Sequence, residues 1–312
     1  MLTQVKSVCC EPHTELCMLE KKSVLAIVVT YHPDSSFAER FECLPSQVDA
    51  VLIVDNDSGP AAVSMLREAA SRLNLRLLLN SENLGLAAAL NIGVADAIAG
   101  GYEWALFFDQ DSAPAHNVFE GLREAYDHFP SKNKLAVIGS NYSEPQTEKL
   151  RFSSLGSNSC PWRERRVVIT SGSLLSLRIY RMLGPFRNDY FIDCVDLEYC
   201  LRARSAGFKI IVSTQPLMTH GIGQPTRHRV PWREIEVSNH NRLRRYYMIR
   251  NSIDLAKRYF LREPAWVLAS LWTRFNSLLF LCFFERDRLA KVKYSAMGLL
   301  DGLFSKFDRK LN

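Results

Sequence analysis

Two acids, Asp109 and Asp111, flank Gln110 at the end of the apolar run YEWALFFDQD. Carboxylates one residue apart at a buried strand's end offer oxygen ligands to a hard divalent cation, Mg2+ or Mn2+, which completes its shell with substrate phosphates. A second acidic set, Asp193, Asp196 and Glu198, brackets the start of the helical stretch VDLEYCLRARSAG. A carboxylate in that first turn suits the helix dipole, and it can take a proton from a hydroxyl if folding carries it across from Asp109. The same residues also read as a helix cap with a Glu198–Arg202 pair on one face. His220, in THGIG, is a candidate third metal ligand or phosphate contact. Arg242, Arg244, Arg245 and Arg250 cluster around Tyr246 and Tyr247, a composition that grips phosphate groups, and Arg245 and Arg250 are the candidate contacts.

Something must hold these groups together. VLAIVVTY, AVLIVDND, LRLLLN and YEWALFFDQD are short apolar runs of the kind buried on both faces of a sheet. Between them lie helical stretches, including GPAAVSMLREAASRL and the small-residue-rich LGLAAALNIGVADAIAGG. This alternation predicts an α/β fold with a mainly parallel central sheet and helices on both faces. Ligands in such sheets bind outside the carboxyl ends of the strands, where Tyr31, Asp55, Asn80 and Asp109 all fall. After residue 135 the pattern changes: KLAVIGSNY is expected as a strand, Ser153–Ser159 as a polar stretch, and FKIIVS as a further strand.

The 312 residues are 47% hydrophobic and 23% charged, which excludes a disordered chain, a coiled coil and a collagen-like repeat. Their net charge of +6 conceals a division. Residues 1–200 hold 18 Lys and Arg against 25 Asp and Glu, whereas residues 201–312 hold 21 against 8. An anionic partner therefore belongs at the C-terminal end; nucleic acid is excluded by the acidic first half and the lack of a recognisable nucleic-acid module. Residues 1–22 read as a flexible leader without an export signal, and Cys9, Cys10, His13 and Cys17 lack the second CxxC pair of a zinc site. Reduced thiols and a cytoplasmic location are expected. Residues 264–284 are strongly apolar but interrupted by Arg274 and Asn276. They read either as a core or dimer helix or as an amphipathic helix on a membrane surface. In the second reading Trp266, Trp272 and Phe275 are interfacial, and Arg262, Arg286, Arg288, Lys291 and Lys293 face lipid phosphates.

Eight segments in order over residues 24–252 resemble the inverting glycosyltransferases of family 2, most closely the bacterial rhamnosyltransferases. They are VVTYHPD, VLIVDNDSG, NSENLGLAAALNIGV, WALFFDQDSAP, ITSGSLLS, DYFIDCVDLEYCLRARSAGF, THGIG and RRYYMIRNS. The resemblance implies a GT-A domain over residues 23–252, with a nucleotide half to about 134 and an acceptor half beyond it, followed by a helical region over 253–312. It further implies that Thr30, Tyr31, Asp55, Asn56 and Asn83 bind the nucleotide sugar together with Asp109, Gln110 and Asp111. Asp109, Asp111 and His220 would hold the metal, Ser171 and Gly172 would lie in the acceptor cleft, and Asp196 would be the general base. Many members carry Glu-Asp where this chain has Val195–Asp196, which keeps Asp193 as a rival base. The implied donor is dTDP-L-rhamnose and the implied acceptor a lipid-linked saccharide of a bacterial surface polysaccharide such as O-antigen, reached at the inner face of the membrane. Alternatives are a UDP-sugar donor, or a nucleotide-sugar-binding protein without activity. Removal of residues 260–312 is expected to abolish membrane association and spare nucleotide binding. A D-x-D with a following hydroxyl, as in Asp109–Ser112, also resembles the loop of haloacid-dehalogenase-like phosphatases, but that loop follows the first strand of its fold.

Overall fold

A computed structural model of the chain describes residues 19–144, 150–152, 160–221, 226–230, 233–237 and 239–308. Most of the expected leader, with Cys9, Cys10, His13 and Cys17, and the Ser153–Ser159 stretch lie outside the described residues. Among the described cysteines, Cys43, Cys160, Cys194, Cys200 and Cys282 are free thiols.

The first half follows the expected alternation: β1 (Val24–Thr30), α1 (Phe37–Arg40), β2 (Ala50–Asp55), α2 (Pro60–Leu73), β3 (Arg76–Leu79), α3 (Leu86–Ala99) and β4 (Trp104–Asp109). β1 lies between β2 and β4, and β3 flanks β2, all parallel. Every residue of β1 is buried because its two faces feed two cores. Leu25, Ile27 and Val29 pack beneath α3, while Val24, Ala26 and Val28 pack on the side of α1 and α2. The small residues of α3 let it sit close: a Cβ at Gly93 would stand 2.6 Å from the Ile27 side chain.

Beyond β4 come β5 (Ser112–Pro114), α4 (Val118–Asp127), β6 (Leu135–Ser143), β7 (Trp162–Glu164), β8 (Ser173–Ser176), α5 (Leu177–Leu183), α6 (Val195–Ser205) and β9 (Lys209–His220). The sheet order is β3-β2-β1-β4-β8-β6-β9-β5, with β7 paired to β9. The second half departs from a parallel sheet. β8 runs antiparallel between β4 and β6, and β5 runs antiparallel to β9. These reversals carry side chains distant in sequence to the end of β4. A hairpin, β10 (Thr226–Val230) and β11 (Arg233–Val237), precedes three helices: α7 (Arg242–Tyr259), α8 (Pro264–Phe284) and α9 (Arg288–Leu303). α7 runs unbroken through residue 252, where the sequence suggested a domain edge.

Candidate active site

The carboxyl ends of β1, β2 and β4 meet in a network of side-chain hydrogen bonds. Thr30 Oγ1 donates to Asp55 Oδ1 (2.8 Å), and Asp55 also accepts from the Ser58 amide (3.0 Å) and the Ser58 hydroxyl. Asn56 Nδ2 donates to Asn83 Oδ1 (2.8 Å), while Asn56 Oδ1 accepts from Asn80 Nδ2 and from the Leu84 amide, both at 3.1 Å. Thr30, Asp55 and Asn56 are buried and shape the turns around the site; Tyr31 is exposed at the strand end. Gln110 staples the two edges: its Oε1 accepts from the Tyr31 amide (2.6 Å) and its Nε2 donates to the Tyr31 carbonyl (2.9 Å). With Gln110 turned back, Asp111 is left exposed beside the more enclosed Asp109.

The β5–β9 pairing places Ser112 opposite His220 and so brings a histidine from 109 positions downstream to Asp111. His220 Nδ1 lies 2.8 Å from Ser112 Oγ and 3.6 Å from Asp111 Oδ1. Asp109, Asp111 and His220 present ligand atoms within 4.8 Å of one another. Two carboxylates and an imidazole form a donor set that Mn2+ or Mg2+ accepts. Burial, then the charges of Asp111 and Asp196, pushes the Asp109 carboxyl up to about 7, and burial holds the His220 imidazole below its usual range. Crowded negative charge of this kind is what a bound cation relieves.

Asp196 comes from the other half of the molecule. It stands in the first turn of α6, where its Oδ2 accepts from the Thr170 amide (3.2 Å) and its Oδ1 from the Leu197 amide (2.8 Å). Thr170 leads into β8, so the antiparallel strand ties Asp196 to the end of β4. Burial pushes its carboxyl up to about 6 against the pull of those two amides. Asp193 is engaged differently: both its oxygens accept from Arg244, at 3.1 and 3.3 Å.

Several expected placements need correction. Ser171 is fully buried beneath the carboxylates, where its hydroxyl bonds Ser112 Oγ (2.6 Å) and accepts from the Asp109 amide (3.2 Å). Gly172 donates to the Phe107 carbonyl (2.7 Å), so this pair supports β4 and does not open into an acceptor cleft. Arg245 and Arg250 do not reach the site either. Arg245 is buried against Glu285 and Ser277, and Arg250 donates to the carbonyls of Asp189 and Tyr190. Their burial had no signal in a sequence where four arginines alternate with aromatics. Arg244 is the member of that cluster beside the carboxylates, and the charges of Asp193, Asp109 and Asp111 all favour its ionised form. His240, pushed down to about 4 by burial and by Arg244, and Asn251 are also drawn in without having been singled out.

The model of glycosyl transferase family 2 matches residues 25–175, from the start of β1 to β8. Residues 25–175 form a family 2 glycosyltransferase domain. Over 293 residues the chain is 25% identical to the dTDP-rhamnosyl transferase RfbF of Shigella flexneri, covering 90% of this chain and 95% of that one. Among solved structures, the mannosyltransferase PcManGT of Pyrobaculum calidifontis, in complex with GDP-Man and Mn2+, superposes with a TM-score of 0.54 at 16% identity, covering 91% of this chain and 88% of that one. TarS 1-349 of S. aureus, in complex with UDP, gives 0.50 at 12% identity, with 93% and 94% covered. The fold is that of the GT-A glycosyltransferases.

Proposed function

We propose that this glycosyltransferase is an inverting rhamnosyltransferase. It moves L-rhamnose from dTDP-L-rhamnose to a hydroxyl of a lipid-linked saccharide used in bacterial surface polysaccharide, at the inner face of the membrane. The observation that carries the reading is the meeting of two carboxylate sets from opposite halves of the chain, Asp109–Asp111 with His220 on one side and Asp196 on the other. Asp109, Asp111 and His220 would hold the divalent cation, which when bound neutralises a nucleoside diphosphate as it leaves. Tyr31 and the turns shaped by Thr30, Asp55, Asn56, Asn83 and Gln110 would hold the nucleotide, and Arg244 would add positive charge at the diphosphate. Asp196 takes the proton from the acceptor hydroxyl as the new bond forms on the face of the sugar opposite the departing diphosphate, which inverts the anomeric carbon. The likeness to RfbF supports rhamnose as the sugar.

Calorimetric titration with dTDP, dTDP-L-rhamnose, UDP and UDP-glucose, each with and without Mn2+, tests the donor. Metal-dependent binding that favours the dTDP series is expected, and a preference for UDP would overturn rhamnose while keeping the enzyme class. Asp196→Asn is expected to leave donor binding intact and to cut transfer by about 10²–10⁴-fold. Unchanged transfer by that variant, with none by Asp193→Asn, would move the base to Asp193. Binding without transfer in every protein would favour a non-catalytic nucleotide-sugar binder.

A further inference from the structure

α9 carries its polarity inside out, and α8 turns two polar side chains inward beside its buried Val267 and Leu281. In α9 the buried residues are Lys291, Ser295, Gly298, Asp301 and Gly302, polar or glycine without exception. Lys291 Nζ donates to Glu285 (2.7 Å), the Tyr246 hydroxyl donates to Asp301 (2.8 Å), and a Cβ at Gly298 would stand 2.4 Å from the Tyr246 carbonyl oxygen. α8 likewise turns Arg274 inward to Ser252 Oγ (3.1 Å) and Ser277 inward to Arg245 (2.7 Å). A row of large apolar residues on each helix points the other way. Leu268, Trp272, Phe275, Leu279 and Phe283 recur every three or four positions along α8 and are 41–71% exposed. Leu289, Val292, Leu299 and Leu303 form the matching exposed stripe on α9. Of 16 exposed large hydrophobic side chains among the described residues, 13 lie between Phe260 and Phe304, so this is a patch and not scatter. A surface helix with water on its outer side shows the opposite arrangement.

Charge says what covers the patch. The acids of this segment are used internally: Glu263 pairs with Arg166 and Arg204, Glu285 lies between Arg245 and Lys291, and Asp301 is buried. Arg262 before α8, Arg286 and Arg288 at the turn, and Lys293 on α9 are all exposed, with Asp287 the one exposed acid among them. We propose that α8 and α9 form a docking face for an anionic lipid bilayer, lying in the plane of its surface with the apolar stripes at the acyl boundary and the basic residues on the headgroups. The proposal rests on the reading of a lipid-linked acceptor and names the surface that reaches it. α8 is long and apolar enough to span a membrane by composition, but its inner face packs Val267 and Leu281 into the protein and ties Ser277 to α7 and Arg274 to the loop before α6. A second copy packed face to face would oppose two basic rims. The position also suits the chemistry. Arg274 contacts the Cys194 sulfur, between Asp193 and Asp196, so the outer face of α8 stands roughly one helix diameter, about 10 Å, from the loop bearing the base.

Full-length protein is sedimented with phosphatidylcholine vesicles, with and without phosphatidylglycerol. The native chain is expected to pellet with the anionic vesicles. Trp272→Gln/Phe283→Gln should weaken this at least tenfold, since burial of each aromatic contributes on the order of tenfold or more. Arg286→Glu/Arg288→Glu should remove the preference for anionic lipid. Brominated acyl chains should quench native tryptophan emission, and most of that quenching should vanish in Trp272→Phe. Binding of dTDP, measured on the same samples, should be equal in all of these proteins. No pelleting of the native chain, or equal pelleting of Trp272→Gln/Phe283→Gln, would overturn the proposal. So would a dimer that this double variant dissolves while vesicles are ignored, since the occupant would then be a second copy. Absence of dTDP binding in the native chain would overturn the dTDP-sugar reading alone and leave the vesicle result to stand.

Discussion

Asp193 and Asp196 are three residues apart, yet their surroundings assign them different work. Asp193 has both oxygens on Arg244, and removing a proton from a sugar hydroxyl would require it to release that guanidinium. Asp196 holds only two backbone amides and has its carboxyl pushed up to about 6. A base must be ionised to act, so transfer is expected to fall about tenfold per pH unit below about 6 and to level off above it; a rate–pH profile on native protein checks this. Asp193→Asn is expected to lower turnover by only about tenfold, the scale of one charge-assisted pair. The raised value also has a consequence for stability. Asp196 binds its proton more tightly in the folded chain than at the ordinary value of 3.8, so its stabilising contribution is full below that value and is lost as pH rises through about 6.

The element that presents Asp196 is a strained loop. Phe191, Asp193 and Cys194 have φ values of 62°, 63° and 62°, a region such residues seldom occupy and one that costs about 1–3 kcal/mol each. α7 holds the loop there. Asn251 Nδ2 donates to the carbonyls of Tyr190 (3.0 Å), Ile192 (2.9 Å) and Asp193 (2.9 Å), and Arg250 Nε donates to Asn251 Oδ1 (3.0 Å). Asn251→Ala is expected to lower turnover while leaving dTDP affinity unchanged, and a fall in affinity with normal turnover would refute a positioning role. Across the site, the loop leans on the turn before α3. Gly85 has φ +84°, and a Cβ there would stand 2.5 Å from the Phe191 ring and 2.7 Å from its carbonyl oxygen. Gly85→Ala is thus expected to cost at least about 1–3 kcal/mol in denaturant unfolding.

On the scale of the whole molecule, the C-terminal helices are structural partners of the catalytic half and not an appendage. Glu285 is fully buried between Arg245 of α7 and Lys291 of α9, and Phe307 stacks on Tyr190, beside the strained loop. Lys291, expected to face lipid phosphates, therefore faces inward, and Trp266 is half-buried. Removing residues 260–312 would strip Arg245 of its carboxylate and expose the back of the loop, so loss of nucleotide binding on truncation would say nothing about membranes. Glu285→Ala is expected to destabilise the chain by about 3–5 kcal/mol, because it leaves two buried cations uncompensated. Chemical denaturation measures that cost.

The local patterns were legible in the amino-acid sequence. The alternating runs fixed four parallel strands, because a strand buried on both faces must be apolar throughout, and small residues marked the helix lying closest to them. The acid pair at the end of β4, the acid in the first turn of α6 and the histidine in THGIG were visible as residue types at strand and helix ends. Tertiary structure alone decided which of them meet. The antiparallel insertions of β8 and β5 bring Asp196 and His220 to Asp109 and Asp111, and no local pattern encodes a pairing over such separations. Side-chain direction was equally hidden. In a run of arginines and aromatics nothing local tells that Arg244 faces the site while Arg245 and Arg250 are buried. Nor does an apolar helix interrupted by Arg274 announce that the arginine points into the protein and the tryptophan away from it, because burial is a property of neighbours supplied by distant parts of the chain.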